Sequence, residues 1–508
     1  MEPVLEPPKS SFLAPGALPA ATADHESAEV PTRTRFVWGL GGFSDAMIVY
    51  GTGSMVNVIY VNALAMNPAL ANLACAIPRF MDFVTDPVIG YLSDNTRSRW
   101  GRRKPWIFVG LIISAIMGVL LWRPPHSSGR YDWAAFAFLC VMMSLLYSVG
   151  YAFFNIPHVA MGYEMTTDYD ERTHLFKWRF YAFAAAGFLT PWLIPAALWL
   201  EGNKAQTLKG SQGVVYISII GGILVLVTGL PTVFFCREKI EKHTGEPKVK
   251  FLRAVKLTLN NRPFWLLVIS NFITKFGMSL TGIFFFYVFV YHIAKGQQSA
   301  GAAYLAIFFN AINISNFLAM EPVARSCDRF GKKPTLLFML AMSALAYASL
   351  WYTFTNGDSS FYRIHVPRVG SFSLQWPSLV TAILIGVFTN TMPLVKNSML
   401  ADVCDLDELN CGHRREAFYG AVFLTTDKIA IAASTAFQGV LLLVSGFNAK
   451  QDIQSWSTIR FWLLALVLTQ PFGYVIGISS IFAYPLSRQR VHEIRAQLDA
   501  RQALRVDA

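Results

Sequence analysis

Long apolar stretches recur along the chain, and they limit its possible folds more than any other feature. A helix needs about 20 apolar residues to cross the hydrocarbon core of a bilayer. Of the 508 residues, 54% are hydrophobic and only 15% are charged. This composition is unlike that of an ordinary soluble protein. We therefore expect an all-α membrane protein.

Twelve stretches are candidates for membrane spans. Their approximate bounds are 36–63, 68–93, 106–123, 133–162, 179–200, 214–236, 263–293, 302–322, 335–354, 377–402, 417–446 and 461–486. The connections after the second, sixth and eighth spans are strongly basic, whereas the opposite connections hold few lysines or arginines. Since basic loops stay cytoplasmic, both termini should lie in the cytoplasm. We expect the protein to be a multi-pass protein of the cell (inner) membrane. The net charge of +12 thus indicates topology and not a nucleic-acid-binding surface.

The spans divide into two sets of six. Residues 36–236 form the predicted N-terminal half and residues 263–486 the C-terminal half, joined by a basic cytoplasmic linker at 237–262. Residues 1–35 are rich in Pro, Ala and Glu and lack an apolar signal core, so we expect a disordered cytoplasmic tail. The polar segment 487–508 is predicted to form a surface helix in the cytoplasm. All six cysteines fall within spans or on the cytoplasmic side, so no disulfide is expected.

A short motif follows the second span and recurs after the eighth. The first copy is Asp86-Pro-Val-Ile-Gly-Tyr-Leu-Ser-Asp94 with the basic turn Trp100-Gly-Arg-Arg-Lys-Pro105. The second is Glu321-Pro-Val-Ala-Arg-Ser-Cys-Asp328 with Arg329-Phe-Gly-Lys-Lys-Pro334. Parallel halves of six spans each are the layout of major-facilitator-type transporters, in which one half rocks against the other around a central site.

Two carboxylates, Asp82 and Asp86, lie one helical turn apart in the second span. An Asp near the bilayer centre costs about 2.5–3.5 kcal/mol, and two acids on one helix face repel each other. Two acids on one face do not improve the packing of this helix against its neighbours. The pair is therefore predicted to hold a cation, with Thr85 between them as a further oxygen ligand.

Three other ionisable residues lie in apolar spans: Asp45, Arg179 and Lys428. Such groups should face the bundle interior or water and find partners. Each also has a structural alternative. Asp45 would form a buried ion pair, Arg179 would extend to the membrane surface, and Lys428 would balance the charge of neighbouring Asp427.

Three motifs resemble those of the glycoside–pentoside–hexuronide:cation symporter family of the major facilitator superfamily, which includes the melibiose permease, and they occur in the same order along the chain. One is the first acidic and basic motif. The second is Ser398-Met-Leu-Ala-Asp-Val-Cys-Asp405, followed by Glu408 and by Gly412-His-Arg-Arg-Glu416, and the third is Asn155-Ile-Pro157. The resemblance runs from about residue 36 to 486.

This resemblance implies a role for each ionisable residue within the spans. Asp82 and Asp86 match the acids that bind the coupling cation in the melibiose permease. Asp45 matches the acid that hydrogen-bonds sugar hydroxyls, Arg179 the arginine of the sugar pocket, and Lys428 a lysine that points toward the acidic pair.

The fourth span departs from the melibiose permease. Asn155 stands where that protein has an acid, and Ala152 where it has a hydroxyl that binds the cation. Asn155 is expected to help Asp45 and Arg179 hold the substrate, and Tyr151 is a stacking candidate for a sugar ring, with simple packing as the alternative. Because sodium generally needs several oxygen ligands, whereas a proton needs one carboxylate, we expect proton coupling in preference to sodium.

The residues of the cytoplasmic motifs are predicted to form gating ion pairs that break and remake as the halves rock. They are Asp94, Arg99, Gly101, Arg102 and Arg103 in the first half, and Asp328, Asp402, Asp405, Arg414 and Arg415 in the second. Asp94, or acids such as Glu164 and Asp168, are expected partners for the arginines at 99, 102 and 103. Arg414 and Arg415 are expected near Asp402, Asp405 and Glu408.

The sequence contains no phosphate-cradling Walker loop and no Cys/His cluster with zinc spacing. We therefore expect no enzyme and no cofactor beyond the coupling ion, H+ or Na+. The expected partners are a small sugar-type solute and the lipid bilayer, with no nucleic acid, and the protein is expected to be a monomer.

The leading hypothesis is symport of a glycoside, pentoside or hexuronide by alternating access. Four basic residues lie in spans and would suit an anionic sugar such as a uronate, with Lys428 expected at the substrate site: Arg179, Lys275, Lys396 and Lys428. One alternative is a lipid or lysolipid carrier on the same fold, although Asp45 and Arg179 argue against it. Another is a transport-dead sensor, in which the acidic pair would have no purpose.

Overall fold

Helices make up almost all of the part of the chain that the structure describes. The computed structural model describes residues 30–125, 133–166, 169–201, 212–236, 238, 261–355, 361–366, 370–411 and 416–506. Side chains in these ranges are described except at 169, 170, 172, 173, 361–366, 370–374, 416–418, 499 and 502–506.

Six helices form what we call the first half. The first, α1, runs through consecutive pieces: Thr32–Gly39, Gly41–Ala46, the π-helical Met47–Gly51, Thr52–Val56 and the π-helical Asn57–Ala63. The others are α2 (Pro68–Asn95), α3 (Lys104–Leu120), α4 (Trp133–Met165), α5 (Tyr169–Leu189, continued through Thr190–Trp192 into Leu193–Leu200) and α6 (Gln212–Phe235).

Six further helices form the second half, and a last helix follows them. They are α7 (Arg262–Ile293), α8 (Gln298–Phe330), α9 (Lys332–Thr355), α10 (Trp376–Phe388 and Met392–Cys411), α11 (Glu416–Val444), α12 (Trp456–Phe482) and α13 (Arg488–Val506). Thus α13 is a helix where the sequence predicted one.

The structure is helical as expected in the residues that it describes, apart from one short β ribbon. Between α9 and α10, β1 (Phe361–Val366) pairs antiparallel with β2 (Gly370–Gln375), with Phe361 opposite Gln375. This ribbon lies in a connection between two predicted spans, where the search for apolar stretches found no element.

Within the described residues, nine helices are long and apolar enough to cross a membrane. They are α4, α5 from His174, α6, α7, α8, α9, α10, α11 from Tyr419, and α12. Helix α3 is apolar but has only 17 residues. Helix α2 is long enough, but Arg79, Asp82 and Asp86 make it less apolar.

Local capping fixes several helix starts. The Asn67 side chain accepts a hydrogen bond from the Ala69 N–H at 2.8 Å, and Pro68 takes the first helical position of α2. Asn261 caps α7 in the same way through Phe264, at 3.1 Å. Gly331 joins α8 to α9 with a φ of +92°, which L side chains rarely adopt.

The two halves contact each other mainly where α2 crosses α11 and where α5 meets α8. The Tyr287 hydroxyl donates to Asn62 at 3.0 Å, joining α7 to the end of α1. The Asn313 amide donates to the Gly187 carbonyl at 3.0 Å, joining α8 to α5. The first of these contacts lies at the end of the bundle opposite the basic turns.

Candidate functional site

Four polar side chains of the first half form a closed ring of hydrogen bonds, which we call the Asp45 ring. Arg179 of α5 donates to Asp45 at 2.6 Å and to Asn155 at 3.0 Å. Asn155 donates to the Tyr151 hydroxyl at 3.0 Å, and Tyr151 donates to Asp45 at 2.8 Å. The structure therefore brings together four residues that the sequence assigned to the substrate site.

Glycines on α1 allow α5 to approach closely enough to form this ring. A Cβ built on Gly42 would overlap the backbone oxygen and Cγ of Arg179. A Cβ on Gly39 would lie 2.7 Å from Cβ of Trp178, the preceding residue on α5. Because Gly42 leaves this space open, the guanidinium of Arg179 can lie beside Asp45.

Two π-helical turns border the ring. One, Met47–Gly51, begins two residues after Asp45, and the other, Leu145–Tyr151, ends at a ring member. A π turn widens a helix locally and changes the direction of the side chains that follow, and such turns are frequent at functional sites. Tyr151 is the last residue of its π turn, so its direction is one that a regular apolar pattern would not reveal.

The ring offers both acceptors and donors to a ligand. Asp45 is only 6% exposed and carries two acceptor oxygens. Among the residues that the structure describes, the buried Nε of Arg179 has no hydrogen-bond partner. A carboxylate next to a guanidinium suits a sugar, whose neighbouring hydroxyls each donate and accept.

The acidic pair lies on α2 and faces α4 and α11. Asp82 is 5% exposed and accepts a hydrogen bond from Ser148 of α4 at 3.2 Å. Asp86 is half-buried and interacts electrostatically with Asp82. Thr85 donates to the Met81 carbonyl of its own helix at 3.2 Å, so its hydroxyl is turned back to the backbone.

One ion pair connects the acidic pair to the other half of the protein. The ammonium group of Lys428 on α11 donates to Asp86 on α2. The alternative role of Lys428, pairing with adjacent Asp427, is not what the structure shows. The sequence-based expectation that Lys428 points toward the acidic pair matches this geometry.

Sequence reasoning missed two residues at this site. Ser148 supplies a hydroxyl one turn before Ala152, the position where the sequence suggested that a hydroxyl was lost. Arg79, one turn before Asp82, places its guanidinium 4.2 Å from the ring centre of Tyr147 and interacts electrostatically with Asp82. A check of each acid's i−3 neighbour would have found Arg79.

The basic turn between α2 and α3 forms a compact charge network. Arg103 pairs with Asp94 and with Glu164, each at 2.8 Å, and Arg102 pairs with Glu164 at 2.6 Å.

The Glu238 carboxylate accepts from the backbone N–H groups of 102, 103 and 104, at 2.6, 3.0 and 2.9 Å. It thereby caps the start of α3, a role that its position in the linker did not suggest. Asp168 lies outside the residues whose side chains are described.

Two other residues of the basic turn between α2 and α3, Gly101 and Arg99, differ in their surroundings. Gly101 has a φ of +114°, and a Cβ there would lie 2.7 Å from the Glu238 carboxylate, so this turn favours glycine. Arg99 is exposed and takes part in none of the ion pairs described for this turn.

In the second half, the acids of the matching motif pair with residues that the sequence did not suggest. Asp402 pairs with Lys332 at 2.7 Å and with Arg495 of α13 at 3.3 Å. Arg495 also contacts Asp405 at 3.1 Å. Asp328 is exposed. Arg414 and Arg415, the expected partners, lie outside the described residues.

Comparison with known proteins shows that the chain is similar to membrane transporters. A model of the family described as MFS/sugar transport protein matches residues 37–488. An uncharacterized symporter of Synechocystis sp. is 26% identical over 92% of this chain and 97% of its own. The isoprimeverose transporter of Lactiplantibacillus pentosus is 22% identical over 89% of this chain and 88% of its own. The crystal structure of a bacterial homolog of the human lysosomal transporter Spinster has a TM-score of 0.57, with 15% identity, and covers 92% of this chain and 97% of that one.

Proposed function

Because the chain belongs to the MFS/sugar transport protein family, and within it to the glycoside–pentoside–hexuronide:cation symporters, we propose that it carries a sugar-type solute together with a cation by alternating access. The proposal includes twelve spans in two halves that rock around a site between them, and a transporter in place of an enzyme. The substrate is a glycoside, pentoside or hexuronide.

One observation supports this function above all: helix α4 contributes residues to both candidate sites. Ser148 contacts Asp82 of the acidic pair, while Tyr151 and Asn155 belong to the Asp45 ring. Ser148 and Tyr151 lie in the π-helical turn of α4, and Asn155 follows one turn later in its α-helical part. A cation that changes the position of α4 through Ser148 therefore also changes the substrate site.

The ion pair between Asp86 and Lys428 supplies the link to the other half. A cation at the acidic pair competes with Lys428 for Asp86 and so changes a contact that crosses between halves. We propose that the ion is a proton. Two basic groups, Arg79 and Lys428, already face the two acids, which leaves little net negative charge for sodium, although Ser148 adds an oxygen ligand.

The first test removes each acid of the pair. Asp82→Cys and Asp86→Cys should abolish accumulation of labelled sugar against a gradient in proteoliposomes while leaving some downhill exchange. Asp452→Cys, at an exposed acid far along the chain, is the matched control. Normal accumulation by both variants would contradict the cation site.

The second test imposes one ion gradient at a time. A pH gradient should drive accumulation, and a protonophore should abolish it. Accumulation driven by a sodium gradient at fixed pH, unaffected by the protonophore under voltage clamp, would replace the proton with sodium. Selective uptake of a labelled lysolipid over neutral and acidic sugars would overturn the sugar assignment.

A further inference from the structure

Helix α11 carries opposite charges at two adjacent positions. Neighbours on a helix project about 100° apart, so Asp427 and Lys428 face different surroundings. Lys428 donates to Asp86 in the first half. Asp427 instead accepts a hydrogen bond from Asn271 of α7 at 2.6 Å, within the second half.

A deeply buried lysine lies on a third helix beside this contact. Lys396 of α10 is 2% exposed and donates to the Thr274 hydroxyl at 2.6 Å. Its other acceptors are the Ser270 carbonyl at 3.4 Å and the Asn271 amide oxygen at 3.5 Å. These acceptors are all neutral. A buried charge is costly without compensation, and here the electrostatic partner is Asp427.

The amide of Asn271 bridges the two charges in one consistent orientation. Its oxygen faces Lys396 and its nitrogen faces Asp427. Lys275, one turn further along α7, also interacts electrostatically with Asp427. Asp427 is therefore hydrogen-bonded to an amide within the second half, and two lysines of the same half interact with it electrostatically.

We propose that Lys396 and Asn271 are positioning residues for coupling: by holding Asp427 within the second half, they leave Lys428 to pair with Asp86 across the two halves. This inference rests on the proposed cation-coupled transport. If the hold is released, Asp427 competes for Lys428 from an adjacent position on the same helix. The ion pair between the halves then weakens, and cation binding no longer controls it.

The transport experiment uses Lys396→Met, which keeps the length of the side chain and removes its charge. Accumulation driven by the ion gradient should fall at least fivefold, while exchange at equal concentrations on both sides persists. Adding Asp427→Asn should restore accumulation, because the competitor is then neutral. A double variant no better than Lys396→Met alone would overturn the proposal.

The same rescue would occur if Lys396 and Asp427 only balanced each other's charge within the second half. Introducing Lys396→Met into a Lys428→Ala background separates this explanation from the positioning role. The Lys428→Ala variant lacks the lysine that Lys396 is proposed to position. Adding Lys396→Met to it should therefore give the same accumulation and the same pH profile as Lys428→Ala alone. An additional loss as large as in the wild-type background would show that Lys396 acts independently of Lys428, against the proposal.

A third measurement does not depend on transport and so separates this inference from the proposed function. Asp86→Asn and Lys428→Met should shift the melting temperature in detergent non-additively, since they remove one contact. The non-additivity should fall by at least half in the Lys396→Met background. It should persist with Gln470→Met, a buried control that removes a different contact to α7, at Thr281. Unchanged non-additivity with Lys396→Met would overturn the positioning role even if transport is cation-coupled.

Discussion

Asp45 is the residue on which the Asp45 ring depends, because it accepts from both Arg179 and Tyr151. Asp45→Asn keeps the size of the side chain but removes the charge. A hydrogen bond to a charged group contributes about 1.5–3 kcal/mol, so sugar affinity should fall by about 10-fold to 150-fold. Equilibrium binding of labelled sugar to purified protein measures this change.

The control for this prediction is Asp45→Glu, which keeps the charge and should bind better than Asp45→Asn. If Asp45→Asn binds sugar as tightly as wild type, the carboxylate is only the ion-pair partner of Arg179. That was the structural alternative left open by the sequence.

Ser148 should tune the cation site without being essential to it. Ser148→Ala removes the hydrogen bond to Asp82 and leaves both carboxylates in place. We expect the cation concentration for half-maximal uptake to change by up to about tenfold, in keeping with a contribution near 1 kcal/mol, while maximal uptake persists. Uptake as a function of cation concentration measures it.

Ser144 offers a matched control one turn earlier on the same helix. Its hydroxyl contacts the Met81 sulfur, 3.7 Å away, and neither acid. Ser144→Ala should leave the cation dependence unchanged. An equal effect of both alanine variants would show that α4, and not the Ser148 hydroxyl, was disturbed.

Individual residues differ in how far the sequence could predict them. Asp45 and Arg179 stand out because a charge in an apolar span is expensive and needs a partner. Ser148 carries no such signal, since hydroxyls in spans commonly bond to their own backbone. The Asp402 partner Arg495 was missed for a different reason: it comes from a polar tail about 90 residues away, and no local pattern connects the two.

At the scale of helices, the close packing of α1 against α5 decides where Arg179 lies. Gly42→Ala adds one methyl group that overlaps the Arg179 backbone. Overpacking typically costs about 1–3 kcal/mol, so the variant should melt at a lower temperature and bind sugar more weakly. A thermal melt in detergent and a binding titration check both effects.

Gly53→Ala is the control on the same helix, because the nearest atom to its new Cβ is the Tyr147 hydroxyl at 3.9 Å. It should behave as wild type. If Gly42→Ala also melts and binds as wild type, α5 shifts without cost and the glycine is not what positions Arg179.

Helices were easier to predict than their irregular parts. Apolar length predicts spans, so helices occur where long apolar runs occur, including α8 and α12. The π turns in α1 and α4 leave no such mark, because a one-residue expansion does not change composition. The break between Phe388 and Met392 in α10 was also missed: the three residues between them are polar, but apolar residues on both sides make the stretch read as one continuous span.

For the whole molecule, the contacts between halves are uneven along the bundle. Tyr287 meets Asn62, and a Cβ built on Gly439 of α11 would overlap the Pro68 backbone of α2. Both contacts lie at the end opposite the basic turns, which the charge pattern predicts to lie outside the cytoplasm. Nearer the middle, the halves are joined by the ion pair of Asp86 with Lys428.

This arrangement predicts that bulk at Gly439 holds the halves apart at that end. Gly439→Leu should abolish sugar accumulation, because closure at the outer end is needed for alternating access, while sugar binding in detergent persists. In cells carrying Thr85→Cys, the same change should increase labelling by a membrane-impermeant thiol reagent added outside. Gly420→Leu is the control on the same helix, since no atom of the described residues lies within 4 Å of a Cβ built there. If Gly439→Leu transports normally, or its labelling matches that of Gly420→Leu, the contact between α2 and α11 does not have to close during transport.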